Sequence, residues 1–297
     1  MNTLAVGIQS REIISDDYPL EGFEMIKRAG FSCCDFSLEP FLTNKSKDSL
    51  KKHVFFQQSI GKLENFFAPY KRAAQTAGIR INQMNMPYMD GILNELGKPD
   101  DNVIQMVLQK SMEICAFFDC PYIVLSAFPP VKNSGLENQW ERTERFLDTL
   151  IPMAKELKIT LCLNNPDTKK ALSDIDCLNE RYGSEILGFC FDTGYANLAH
   201  IDFENFIVML GSRLKVLCVH DNDGIRNLHQ IPFTGSISPI NWKGIISGLR
   251  KTHFDNVLSL DITSVLSAFP KEMKQDVLKF AAQVGSYFVG EIEGSNL

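Results

Sequence analysis

Eight short apolar runs recur along the 297 residues, and most are followed by a longer segment in which apolar residues return every three or four positions. The runs are Leu4–Ile8, Cys33–Leu38, Ile79–Met84, Tyr122–Ser126, Ile159–Leu163, Ile186–Phe191, Leu214–Val219 and Val257–Leu260. None alternates strictly between apolar and polar, which is the pattern of strands buried on both faces of a parallel sheet. The intervening spacing is helical, as in Ile104, Val107, Leu108, Ser111 and Cys115, or Phe146, Leu150, Met153 and Leu157. Such stripes predict amphipathic helices lying on the sheet. Gly30, Gly78 and Gly183 stand where those helices should end in a left-handed residue. Eight strand–helix units, with no linker and no low-complexity stretch, predict an α/β fold of the (β/α)8 barrel type, one domain over residues 1–297. An open doubly wound sheet would place a Gly-rich turn after its first strand, and here Gln9-Ser10-Arg11-Glu12 stands there instead.

Charge and cysteine usage narrow the functional classes. The net charge is −6 and no basic run forms a nucleic-acid footprint. No stretch approaches the roughly 18 apolar residues of a membrane span, and no secretory leader is read at the N-terminus. The expected partner is therefore a small molecule, and assembly into a homo-oligomer stays open. The eight cysteines show no CxxC pair or framework spacing, and most lie inside apolar runs such as Ile159–Leu163 and Ile186–Phe191. They are expected to be free core thiols, as in a cytoplasmic protein.

In a barrel of this kind, working side chains stand just past the C-terminal ends of the strands. Three of those ends carry Asp192, His220 and Asp261. Neighbouring ends converge, so these side chains can share one divalent ion, with Asn164 adding an amide oxygen. Blander readings stand beside this one. Asp and Asn commonly cap the next helix, a buried His is often only a hydrogen-bonded structural residue, and Asp221-Asn222-Asp223-Gly224 can be a tight turn. His53, His200 and His253 lie away from strand ends and read as structural or surface residues.

At these residues the sequence resembles the xylose isomerase-like barrel superfamily, in its sugar phosphate isomerase/epimerase branch. The segments that carry the resemblance are Gly30-Phe31 with Asp35-Phe36, Phe191-Asp192-Thr193-Gly194 with Asn197, and His220-Asp221-Asn222-Asp223-Gly224 followed by His229, Pro232, Gly235 and Trp242. The resemblance implies a Glu, Asp, His, Glu ligand set for Mn, Mg, Co or Zn, with the two glutamates moving the proton alpha to a sugar carbonyl. Carried over, the Asp is Asp192, the His is His220, the first Glu falls on Asn164 and the second on Asp261. Arg226 resembles a substrate-binding arginine of ketose epimerases, and Asn85, Tyr195 and His229 fall on the substrate side.

The departures matter as much. Asn85, Asn164, Tyr195 and Asn227 are neutral where the family carries an acid or a histidine, and Asp261 is one methylene shorter than Glu. An amide accepts no proton at neutral pH, so a two-base epimerisation is not expected, whereas a single-base isomerisation through Asp261 is chemically permitted. Two carboxylates favour Mn, Mg or Co, and a single sure imidazole disfavours zinc. Two readings stay open here. One is a divergent sugar isomerase or epimerase acting on a small sugar or polyol. The other is a barrel that has lost the reaction and binds a sugar-like ligand or serves as a regulatory or structural protein. An apurinic-site endonuclease, as in a sister branch, would need a three-zinc cluster whose residues are mostly missing. Titration under denaturing, non-reducing conditions should return all eight thiols; a shortfall of two or more would show a disulfide.

Overall fold

The structure is a computed structural model that describes residues 4–43, 54–88, 92, 100–126, 139–165, 177–178, 180–235 and 239–294. Eight strands form one parallel sheet: β1 Ala5–Gln9, β2 Cys33–Ser37, β3 Arg80–Asn85, β4 Tyr122–Leu125, β5 Thr160–Asn164, β6 Leu187–Asp192, β7 Leu214–Cys218 and β8 Val257–Leu260. Each of β1 to β6 pairs with the next strand, and β8 pairs with β1. The remaining seam, between β7 and β8, is closed by the parallel bridge Val219↔Leu260. There Val219 N–H donates to Ser259 O at 2.8 Å and Asp261 N–H to Val219 O at 3.0 Å. The sheet is thus a (β/α)8 barrel whose strands follow the predicted apolar runs.

Several strands run one residue further than those runs. β1 takes in Gln9, β3 Asn85, β5 Asn164 and β6 Asp192. Polar side chains that read as loop starts are therefore held in the ladder, with Asn164 opposite Cys190 and Asp192 opposite Cys218. Side chains alternate along a strand, so the register decides which of them face the barrel interior. A small apolar layer of Val124, Cys162, Cys190 and Val216 lies beneath the mouth.

Outside the sheet, helices Pro19–Ala29, Ile60–Ala77, Asp101–Phe117, Gln139–Leu157, Phe203–Leu210, Trp242–Lys251 and Lys271–Glu293 form the outer ring. Gly30 and Gly78 are left-handed C-caps with φ of 108° and 66°, and their N–H groups close the last turns of the first two. Gly183 also has positive φ, as its predicted place requires. On the outer face of β2, Phe36 meets Phe67, Tyr70 and Phe118 at centroid distances of 6.2, 5.9 and 5.2 Å. Phe41 adds a further edge contact to Phe67 at 4.8 Å. This knot fastens β2 to the helices Ile60–Ala77 and Asp101–Phe117. All eight cysteines are free. No helix among the described residues is long and apolar enough to cross a membrane. Phe67→Ala, which would hollow the knot, should cost about 3–5 kcal/mol in denaturant unfolding; a loss below about 1 kcal/mol would show that the knot does not hold β2.

Candidate functional site

The mouth at the C-terminal ends of the strands collects Gln9, Asn85, Asn164, Asp192, Cys218 and Asp261 around one small cavity, with Arg11, Tyr88 and His229 reaching in from loops. It splits into two charge-compensated halves. In the first, His220, fully buried, sets Nε2 at 3.1 Å from Asp192 Oδ1. Burial opposes charge on both partners. The pairing outweighs it, so the His220 imidazole is raised above its ordinary value and the Asp192 carboxyl is held below its own. Gly194 makes this approach possible: a Cβ there would stand 2.0 Å from His220 Cε1. Asp192 Oδ1 also accepts the Tyr195 N–H at 2.8 Å, capping the short helix Thr193–Leu198. Its Oδ2 makes no hydrogen bond among the described residues.

In the second half, Asp261 Oδ2 lies 3.1 Å from His229 Nδ1 and 3.5 Å from the Arg11 guanidinium, and Gln9 donates to it at 3.4 Å. Although burial opposes its ionisation, the neighbouring His229 ring and Arg11 guanidinium hold the Asp261 carboxyl well below the usual carboxylate range. Its Oδ1 accepts from the Thr263 hydroxyl and, at 3.2 Å, from the Thr263 N–H. Both acids therefore anchor the backbone that follows them as well as facing the site. His229 stacks on His220 with ring centroids 4.2 Å apart, which ties the halves together. His229 Nε2 lies 3.1 Å from Asn227 Nδ2.

Asn164 Oδ1 is buried and has no hydrogen-bond partner. Its neighbour Asn165 points the other way and clamps the Asp192 backbone, accepting from its N–H at 2.6 Å and donating to its O at 3.1 Å. Asn85 donates to Asp35 at 2.5 Å and Gln83 donates to the second Asp35 oxygen at 3.0 Å. Tyr195 reaches the mouth through a hydrogen bond with Tyr88. Arg226 does not line the mouth. It is largely exposed and forks onto Asp223 at 2.8 and 3.1 Å, within the tight turn that one reading of this segment predicted. Gly235 belongs to that loop's scaffold: its N–H donates to Asp221 at 2.9 Å, and a Cβ there would collide with the Asn222 carbonyl. His53 and the loop residues Phe128, Pro129, Pro130, Pro166 and Asp167 lie outside the described residues.

Three residues to which the motifs gave no site role stand at or beside the mouth. Arg11, from the loop after β1, lines the cavity and lies 3.5 Å from Asp261. Cys218 stands two residues before His220 on the same strand face, and Asp35 is an acid inside an otherwise apolar run, a signal that was there to use. Asp192, Cys218 and His220 offer donor atoms that all lie within 4.8 Å of one another. With the unpartnered Asn164 oxygen beside them, this donor set fits a divalent ion. The close approach of His220 Nε2 to Asp192 Oδ1 marks the carboxylate that such an ion would compensate.

The xylose isomerase-like TIM barrel family model matches residues 23–282. The uncharacterized protein y4fM of Sinorhizobium fredii (strain NBRC 101917 / NGR234) is 29% identical over 164 residues, which are 52% of this chain and 51% of that protein. The match thus spans about half the length of that relative. Among solved structures, D-psicose 3-epimerase of Clostridium cellulolyticum H10 superposes with a TM-score of 0.67 at 16% identity, covering 96% of this chain and 99% of that one. A xylose isomerase domain protein of Alicyclobacillus acidocaldarius reaches 0.69 at 10% identity, covering 98% and 100%. Identities this low speak for a shared fold.

Burial, with the Asp261 charge nearby, pushes the Asp35 carboxyl up to about 7, against the pull of Asn85 and Gln83. Its folded-state value is thus raised above the unfolded one, so this group favours the fold at low pH and the benefit is lost as pH rises from the ordinary carboxylate range through about 7. Asp35→Asn should flatten the stability profile of the metal-free protein across that window; an unchanged profile would show that another group is responsible.

Proposed function

The chain belongs to the xylose isomerase-like TIM barrel family, and we propose that it holds a divalent metal ion and a small sugar or polyol at the C-terminal mouth, where it moves a proton alpha to the sugar carbonyl. The observation that carries this reading is the convergence of donor atoms from Asp192, Cys218 and His220 beside one cavity that Asp192, Cys218, Asp261 and Asn164, with its buried, unpartnered oxygen, line. Asp192 and His220 would bind the ion, with Asn164 and Asp261 completing its shell. A bound ion supplies polarisation of adjacent carbonyl and hydroxyl oxygens.

The rest falls to the side chains. Asn164 cannot take a proton, so Asp261 is the single base. Arg11 and His229 keep Asp261 ionised, and in doing so weaken it as a base. A sugar hydroxyl or carbonyl that draws the Arg11 guanidinium away from Asp261 would return that basicity when the ligand is in place. Asn85, its amide nitrogen turned to Asp35, is left with its carbonyl oxygen for a ligand hydroxyl. Tyr88 with Tyr195, and His229, supply further polar contacts.

A second reading, a barrel that binds a sugar-like ligand without turnover, draws on the same Arg11–Asp261–His229 grouping, which balances the buried charge with no ion at all. The two part on solvent exchange. Incubated with Mn2+ and a panel of ketoses and aldoses in D2O, the protein should place deuterium alpha to the carbonyl, and Asp192→Asn should abolish this. Binding without exchange would favour the second reading. Asn164→Glu adds a full charge beside the ion and should raise Mn2+ affinity by about tenfold or more in calorimetry. Asn165→Glu should not, because it unclamps the Asp192 backbone. If neither the parent nor Asn164→Glu binds Mn2+, Mg2+, Co2+ or Zn2+, the metal-dependent function is wrong.

A further inference from the structure

Cys218 differs from the other thiols of the barrel interior. Cys162 and Cys190 lie in the apolar layer with Val124 and Val216, whereas Cys218 packs on that layer and also lines the cavity at the mouth. It is the ladder partner of Asp192 across β6 and β7, and it stands on the same face of its strand as His220, two residues on. Its Sγ lies 4.0 Å from Asp261 Oδ2, so carboxylates flank it on two sides. A buried thiol between two anions gains nothing as a thiol: burial and the charges of Asp192 and Asp261 all disfavour its ionisation. A cation in the same space reverses that balance.

Resting on the reading that an ion binds at this mouth, we propose that Cys218 is one of its ligands and that the centre is an Asp192–Cys218–His220 site selecting Zn2+ or Co2+ over Mg2+ and Mn2+. The charge count supports it. The family pattern places three anionic ligands around the ion, and this chain has a neutral amide at Asn164 in place of one of them. A Cys218 thiolate beside Asp192 and Asp261 restores three negative charges. The donor types support the selectivity, because a soft thiolate with one imidazole suits Zn2+ and Co2+, while Mg2+ prefers oxygen alone. The expectation against zinc drawn from the sequence counted nitrogen donors only and took Cys218 for a core residue.

Cobalt tests the assignment without any substrate. In a Cys177→Ser background, which removes the exposed thiol, chelator-treated protein is titrated with Co2+ and read by equilibrium dialysis and absorption. One bound Co2+ per chain should bring a near-ultraviolet thiolate-to-cobalt charge-transfer band. Cys218→Ser should abolish the band and weaken Zn2+ binding by roughly 10–100-fold, with little change for Mn2+. Cys190→Ser, a buried thiol one strand away, should leave both unchanged, and far-ultraviolet circular dichroism checks that each variant is folded. Stoichiometric Co2+ without the band, or with a band that survives Cys218→Ser, overturns the assignment of Cys218 while leaving a metal site. If the parent binds neither Co2+ nor Zn2+, the assignment falls, and Mn2+ binding then decides whether the proposed function falls with it. Should Cys218→Ser not fold, Cys218→Ala is read in the same assay, and a folded alanine variant that keeps the band overturns the proposal.

Discussion

Three buried carboxylates, Asp35, Asp192 and Asp261, sit inside one barrel, and like charges at such close quarters raise one another's cost of ionisation. Each is answered differently. Asp192 is answered by the His220 imidazole, Asp261 by the His229 imidazole and the Arg11 guanidinium, and Asp35 by two side-chain amides and a shifted proton equilibrium. Much of the mouth follows from these answers. Arg11 folds back from its loop, His229 lies flat on His220, and Gln83 and Asn85 turn their amide nitrogens inward. The barrel supplies closure and register, but the positions of the polar groups at its mouth are largely set by the need to compensate those three charges.

The barrel was legible because a buried parallel strand is recognisable by its length and apolarity alone. All eight runs became strands. Asp192, His220 and Asp261 were legible because strand ends converge and their residue types are ones that bind and titrate. The rest depended on where side chains fold back, which spacing does not encode. Arg226 looked right by motif, yet Asp223 three residues earlier captures it. Arg11 sits in a loop with no distinctive neighbours, and its role comes from the reach of its side chain across β1 to β8. Cys218 was hidden by its company: inside an apolar run a cysteine counts as a small hydrophobe. The alternation along β7 that places it beside His220 was present all along in Cys218-Val219-His220. Asn165, the off-face neighbour of Asn164, ties β5 to β6 at the site's edge.

The family pattern and the physical reading meet at the neutral positions. A barrel with acids at the ends of β5 and β8 needs an ion, or a proton, to be stable. With Asn164 at one end and Asp261 beside the Arg11 guanidinium at the other, this mouth leaves less buried charge for an ion to balance than a site built wholly of acids.

The double engagement of Asp192 and Asp261 has a consequence for how the chain can change over time. Each gives one oxygen to the backbone that follows it, so replacing either by a residue without that acceptor injures the fold whatever the ligand state. Asn164 holds nothing with its side-chain oxygen and is open to exchange. Substitution at residue 164 therefore costs the architecture less than substitution of either acid. New specificities in this barrel have their cheapest point of entry at residue 164.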